Sequence, residues 1–179
     1  MAALPQLISV EQFRQLPDSE YEYELHHGEV LAMTRPMARH WKLQRQLSRL
    51  LEPRLKTFGE VATEVPYRPL PEFELRVADV AAISLARWDA IDPDDNLYGA
   101  PELVIEVKSP SNTERQLREL ASLCLNKGAL EFWIVDIDRK SVTVVRRDGV
   151  PSVFTAGASL SLAAFGDGDL PVDEIFALR

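Results

Sequence analysis

The sequence predicts an α/β protein of the α+β kind, a mixed central sheet flanked by helices, and three observations carry that expectation. Runs rich in β-forming residues recur at 60–69, 75–84, 102–109, 131–136 and 141–147. Two longer segments, 37–56 and 113–126, instead repeat apolar residues at helical spacing. The second of these separates 102–109 from 131–136, so those strands can lie parallel, whereas the earlier ones are joined by short turns and read as antiparallel.

Taken in order, Ser9 with Gln12 matches a capping box, which predicts a short helix from Val10 to Leu16 closed by Pro17. YEYEL (21–25) alternates, HHG turns and EVLAM (29–33) resumes, a hairpin with His26 and His27 as turn residues. Leu43, Leu47, Leu50, Leu51, Leu55 and Phe58 mark the clearest helix, and Pro53 is expected to kink it or end its first part. Strands 60–69 and 75–84 follow, then a loop (89–100) containing DPDDN. That loop fails as a calcium site, because Leu97 stands where the pattern requires Gly and Leu103 where it requires Glu.

After strand 102–109, Ser111 or Asn112 is the candidate cap of a helix from Thr113 to Asn126, ending near Gly128. EFWIVD (131–136) reads as a strand with Phe132 and Trp133 in the core, DRK turns, and SVTVVRR (141–147) continues. Short strands within 152–162 and a helical turn from Val172 to Phe176 complete the pattern. No repeat, low-complexity tract or linker divides the chain, so residues 1–179 are expected to form a single domain.

Composition narrows the class. With 46% hydrophobic and 27% charged residues the chain is globular in type, and 179 residues suffice for a core without disulfide or metal staples. The lone Cys124 cannot form an intrachain disulfide, and no Cys/His spacing suits zinc. The N-terminal stretch lacks a basic start and a long apolar run, and no segment approaches the ~18 apolar residues of a membrane span. A cytoplasmic protein with no membrane partner is the expectation. The net charge of -8 disfavours a polyanionic partner at first sight, but seven basic residues against Glu52 alone lie between Arg35 and Lys56.

One strand poses the functional question. In ELVIEVKS, Leu103, Ile105 and Val107 point one way while Val104, Glu106 and Lys108 point the other, so one face is core and the opposite face carries an acid and an amine. Strand geometry alone is equally compatible with a salt bridge on an edge strand, worth at most about 1 kcal/mol. A second acid, Asp79, lies among the apolar residues of VADVAAIS, where a carboxylate is costly unless hydrogen-bonded, paired or metal-bound. On adjacent strands, two such carboxylates make an oxygen-rich site suited to Mg2+ or Mn2+. A neighbouring lysine would orient or deprotonate water and offset charge on a phosphoryl group.

These segments resemble a known superfamily. VAD, then IEVK, then a helix and EFWIVD are similar to the PD-(D/E)XK nucleases, in which an Asp, an acid-x-Lys triplet and bound Mg2+ hydrolyse phosphodiesters. More narrowly, YELHHGEVLAM, RH, GAPELVIEVKSPSNT, KGALEFWIVDIDRKSVTVVRRDG and the ending LPVDEIF resemble the Uma-two family of restriction-endonuclease-like proteins, found mostly in bacteria, over nearly the whole chain. The resemblance implies a restriction-endonuclease-like fold, with Asp79 and Glu106 as metal ligands helped by the carbonyl of Val107. It further implies Lys108 as catalytic lysine and Glu24 as a further ligand or support. Two departures stand out: many relatives carry the lysine in the following helix, where this chain has Leu120, and the Pro usual before the Asp is Ala78.

The implied activity is a Mg2+- or Mn2+-dependent endonuclease acting on nucleic acid, DNA foremost, with homodimerisation compatible with cutting a duplex. In that setting Arg39, Lys42, Arg45 and Arg49 read as a nucleic-acid-binding face rather than a merely solvated one. Two rivals remain open: a non-catalytic nucleic-acid-binding or regulatory module on the same fold, and a structural or oligomeric role.

Overall fold

The computed structural model of the protein describes residues 7–17, 19–33, 37–110, 112–147, 150–166 and 168–178. Arg35 and Ser111, both singled out above, lie outside the described residues. In chain order the elements are α1 (Val10–Phe13), β1 (Tyr23–His26), β2 (Glu29–Ala32), α2 (Ala38–Leu55), β3 (Gly59–Arg68), β4 (Arg76–Ser84), α3 (Leu85–Trp88), β5 (Leu97–Tyr98) and β6 (Leu103–Val107). They continue with α4 (Glu114–Asn126), β7 (Glu131–Asp136), β8 (Ser141–Arg146), β9 (Ser152–Phe154), β10 (Ser159–Ser161), β11 (Asp169–Pro171) and α5 (Val172–Phe176).

A strand whose two faces are both apolar needs a layer on each side. β6 meets that condition: Leu103, Ile105 and Val107 bury under α2, and Val104 buries under α4. The expected alternation holds, but the face opposite Ile105 is not a polar one, because Val104 packs there with Ala121, Cys124 and Phe132. The strand order is β5-β3-β4-β6-β7-β8-β9, so β6 lies at the centre of the seven-stranded sheet and an edge-strand salt bridge does not apply. β6 and β7 run parallel, the α4 crossover between them, while β3–β4, β4–β6, β7–β8 and β8–β9 are antiparallel. This is a mixed central sheet flanked by helices.

On one face α2 lays Leu43, Leu47, Leu51 and Leu55 onto Val80, Ile105 and Trp133, all fully buried. Pro53 does not end this helix, which runs on to Leu55. Proline deprives the helix of one backbone bond, at a cost of ~3 kcal/mol in a helix interior. Here it sits in the last turn on the exposed side, and burial of Leu51 and Leu55 beside it offsets the loss. On the other face α4 turns Cys124 inward onto the sheet, its Sγ 3.3 Å from the Tyr67 hydroxyl, and burial pushes the thiol up to about 12.

Smaller departures have local causes. α1 keeps its capping box but stops at Phe13, since Val10 is its sole buried residue and nothing holds a longer helix down. His27 (φ 49°) and Gly28 (φ 82°) form the two-residue turn of the β1–β2 hairpin, the positive-φ pair that matches strand twist. His26 is therefore not a turn residue but the last residue of β1. Helix α4 is capped by Thr113 in a reciprocal box with Gln116, while Asn112 is spent on a turn, its Oδ1 accepting from the Ser109 N–H and hydroxyl. No helix among the described residues is long and apolar enough to cross a membrane.

Gly59 opens β3 opposite Ser84, and a methyl group there would run into the Ile83 backbone carbonyl. Gly59→Ala is expected to cost roughly 1–3 kcal/mol through this overpacking; a urea midpoint equal to that of the wild type would contradict the close approach.

Candidate active site

The site arises where the sheet comes apart. β4 and β6 pair from Ala82↔Leu103 to Val80↔Ile105, and there the ladder ends. One residue on, the side chain of Asp79 occupies the gap, and its Oδ2 accepts the Val107 N–H at 2.6 Å. Helix α2 supplies the other partners: Gln44 Nε2 donates to Asp79 Oδ1 at 2.7 Å, and His40 Nε2 lies 3.0 Å from the same oxygen. The carboxylate that looked stranded in an apolar strand is thus held by three groups, which compensates its partial burial.

Directly across the ladder, between the pairs Thr63↔Val80 and Val65↔Ala78, stands Glu64 in a left-handed conformation (φ 54°). Its Oε1 accepts from the same Gln44 Nε2, so one amide, only 4% exposed, bridges two carboxylates. Although Glu64 is an exposed residue, desolvation of its carboxyl raises its pKa, Gln44 opposes this, and the charge of Asp79 adds to it.

Glu106 follows the pattern of β6 and is half-buried. Among the described residues its carboxylate has no hydrogen-bond or ion-pair partner. Burial first, then the charges of Asp79 and Glu24, push its pKa well above the ordinary carboxylate range, with Arg76 working against them. Glu24 is better served. It is buried on β1, with Oε2 2.6 Å from His26 Nε2, Oε1 accepting the Val77 N–H at 3.3 Å and the Arg76 guanidinium 3.9 Å away.

Lys108 does not sit beside Glu106 as an ion pair. The strand ends at Val107; the Lys108 N–H donates to the Val135 carbonyl at 2.9 Å, and its Nζ lies 3.3 Å from Asp136 Oδ2 at the end of β7. The chain leaves the ladder toward β7 and takes the amine with it.

These groups line one cleft of about 760 Å³. Glu24, Asp79, Val107, Glu106 and Lys108 all reach it, together with Glu22, Glu64, His40 and Arg39, so acids outnumber cations in its walls. Of the four basic residues expected to bind nucleic acid, Arg39 alone lines the cleft, where its Nη1 pairs with Asp138 at 2.8 Å. Lys42, Arg45 and Arg49 are exposed. At about 3.6 residues per turn they point away from the side of α2 that carries His40, Gln44 and Leu47.

Sequence reasoning missed Gln44, Glu64, Arg76 and Asp136. Gln44 carried a usable signal, a polar residue beside the apolar stripe one turn after His40. Glu64 carried none, since its place follows only from its register with β4.

Over residues 10–173 the chain matches the Uma2 family, described as "Putative restriction endonuclease". The chain belongs to the Uma2 family. That match spans every element of the cleft. The fold is also similar to the crystal structure of "a putative nuclease belonging to DUF820" from Anabaena variabilis ATCC 29413, with a TM-score of 0.81 and 20% identity, covering 95% of this chain and 98% of that one. At that identity the likeness speaks for the fold, which is nuclease-like. No curated protein matches the chain.

A half-buried, repelled carboxylate has a measurable thermodynamic signature. Because the folded-state pKa of Glu106 is raised, its contribution to stability is fully present below the unfolded carboxylate value and is lost as pH rises through the folded one. Glu106→Gln removes the charge at nearly constant shape. In metal-free buffer at neutral pH it is expected to raise Tm by roughly 2–4 °C, about 1 kcal/mol for a chain of this size; calorimetry showing an unchanged or lower Tm would reject the assignment.

Proposed function

We propose that the protein is a divalent-metal-dependent endonuclease that hydrolyses phosphodiester bonds of nucleic acid, with DNA as its substrate. The observation that carries this reading is the convergence of Asp79, Glu106 and Lys108 on one cleft where β4 and β6 separate. Family membership and the nuclease-like fold support the class of chemistry.

The residues fit a hard cation. The donors are carboxylates and backbone oxygens, and Glu106 has no partner among the described residues, which a bound cation would provide. No group of three or more His, Cys, Asp or Glu among the described residues forms a ready cage. Mg2+ commonly takes one or two carboxylates and leaves its remaining positions to water and substrate phosphate, so two carboxylates suffice. The excess of acids would repel a phosphodiester, and a cation offsets this.

Asp79, Glu106 and the Val107 carbonyl would hold the ion, which supplies Lewis acidity and a more acidic bound water. His40 and Gln44 keep Asp79 in a single orientation, and Glu24, backed by His26 and Arg76, supports the electrostatic balance from the side. Lys108 is suited to hydrogen-bond the attacking water and to offset charge building on the phosphoryl oxygens. Arg39 is suited to hold a flanking phosphate at the cleft.

One observation favours the second reading, a module that binds without cutting: Lys42, Arg45 and Arg49 form an exposed stripe turned away from the cleft. Plasmid nicking separates the two. Asp79→Ala and Lys108→Ala are each expected to lower Mg2+-dependent nicking by about 10²-fold or more, with unchanged circular dichroism, and Asp79→Ala to lose Mn2+ heat in titration calorimetry. Nicking at the wild-type rate in both variants would overturn the nuclease reading. Neutralising Lys42, Arg45 or Arg49 singly is expected to reduce the salt dependence of nucleic-acid binding by about one unit of slope each; an unchanged slope would remove the stripe from the interface.

A further inference from the structure

We propose that Asp136 is the positioning residue of Lys108, a role that rests on the nuclease reading of the cleft. The argument begins with register. Parallel pairing of β6 and β7 closes at Val107↔Val135, so the residues that follow on the two strands, Lys108 and Asp136, emerge side by side at the same end of the sheet. The Lys108 N–H bond to the Val135 carbonyl fixes the backbone there, and the ammonium meets Asp136 Oδ2 at 3.3 Å.

Asp136 is a fixed partner rather than a mobile one. Its side chain is 15% exposed, and its Oδ1 accepts the Arg139 N–H at 2.9 Å within the turn leading to β8. Burial works against ionisation of Asp136, but the Arg139 N–H and Lys108 outweigh it and hold the carboxyl below its ordinary range. The Arg139 side chain adds a longer contact to the same oxygen, with its Nε 4.0 Å from Oδ2, but 74% of that side chain is exposed, so Lys108 is the closer and better shielded partner.

The two oxygens therefore have separate duties: Oδ1 closes the turn and Oδ2 holds the amine. A lysine stem has four flexible carbons, and fixing its head before substrate arrives removes that disorder from the reacting complex. Asp136 does not line the cleft, whereas Lys108 does, so the carboxylate acts on the reaction only through the lysine.

Asp136→Asn keeps an acceptor for the Arg139 N–H and removes the charge that holds Lys108. On a supercoiled-plasmid or oligonucleotide substrate it is expected to lower kcat on the order of 10- to 100-fold with KM unchanged, and to cause no further loss in a Lys108→Ala background. Asp136→Glu is expected to recover part of kcat. In the metal-free protein, 15N relaxation of the Lys108 ammonium is expected to show a rigid group in the wild type and a mobile one in Asp136→Asn. Equal kcat for wild type and Asp136→Asn, an additive loss in the double variant, or a Lys108 ammonium equally mobile in both proteins would overturn the assignment. A wild-type protein that cuts no substrate would overturn the nuclease reading and the kinetic role with it, while the relaxation experiment would still decide whether Asp136 holds the amine.

Discussion

Carboxylates crowded into a partly dry space repel one another, and the geometry of this molecule follows from how that repulsion is offset. The main device is Gln44, a buried amide that donates to both Asp79 and Glu64. Its position depends on the leucines of α2: Leu43, Leu47, Leu51 and Leu55 lock the helix to the sheet, and the same docking presents His40 and Gln44 to the acids. Apolar packing, which is indifferent to charge, thereby fixes the polar geometry. Glu106 receives no such partner, and that contrast gives the cleft one settled acid and one available acid.

The second support comes from the opposite side. The β1–β2 hairpin is fastened to the strand region before β4 by the Leu25↔Leu75 bridge and by the Gly28 N–H to the Phe73 carbonyl, which brings Glu24 to the cleft. Arg76 then faces three acidic environments at once: it pairs with Glu74 at 2.6 Å, lies near Glu24 and lowers the pKa of Glu106. Glu74 is fully buried, so this guanidinium is held from behind by a carboxylate fixed in the interior. Its charge is structural, and among the described residues the Lys and Arg side chains that line the cleft are Arg39 and Lys108.

Most of the fold was legible because it obeys periodicity. The strand runs, the two long helices, the α4 crossover and the parallel β6–β7 pair all follow from spacing of apolar residues. Asp79 and Glu106 were legible for the converse reason, as acids that violate an apolar pattern. What could not be read depends on partners distant in sequence. Glu64 sits in a mixed, half-exposed strand where an acid breaks no rule, and only its register opposite Asp79 gives it meaning. The pairing of Lys108 with Asp136 required knowing that β6 ends at Val107. The basic helix carried charge but no direction: only once it is wound at about 3.6 residues per turn does Arg39 fall on the cleft and the exposed Lys42, Arg45 and Arg49 on another side.

The burial of Cys124 has a practical consequence. A thiol held neutral to about 12, on the buried side of α4 and touching the Tyr67 hydroxyl, offers almost no thiolate to an alkylating or oxidising reagent. As this is the only cysteine in the chain, the natural protein is already a silent background for site-directed spectroscopic labels. A probe attached through a cysteine newly placed on the rim of the cleft would report from that point alone, without any change to the native core.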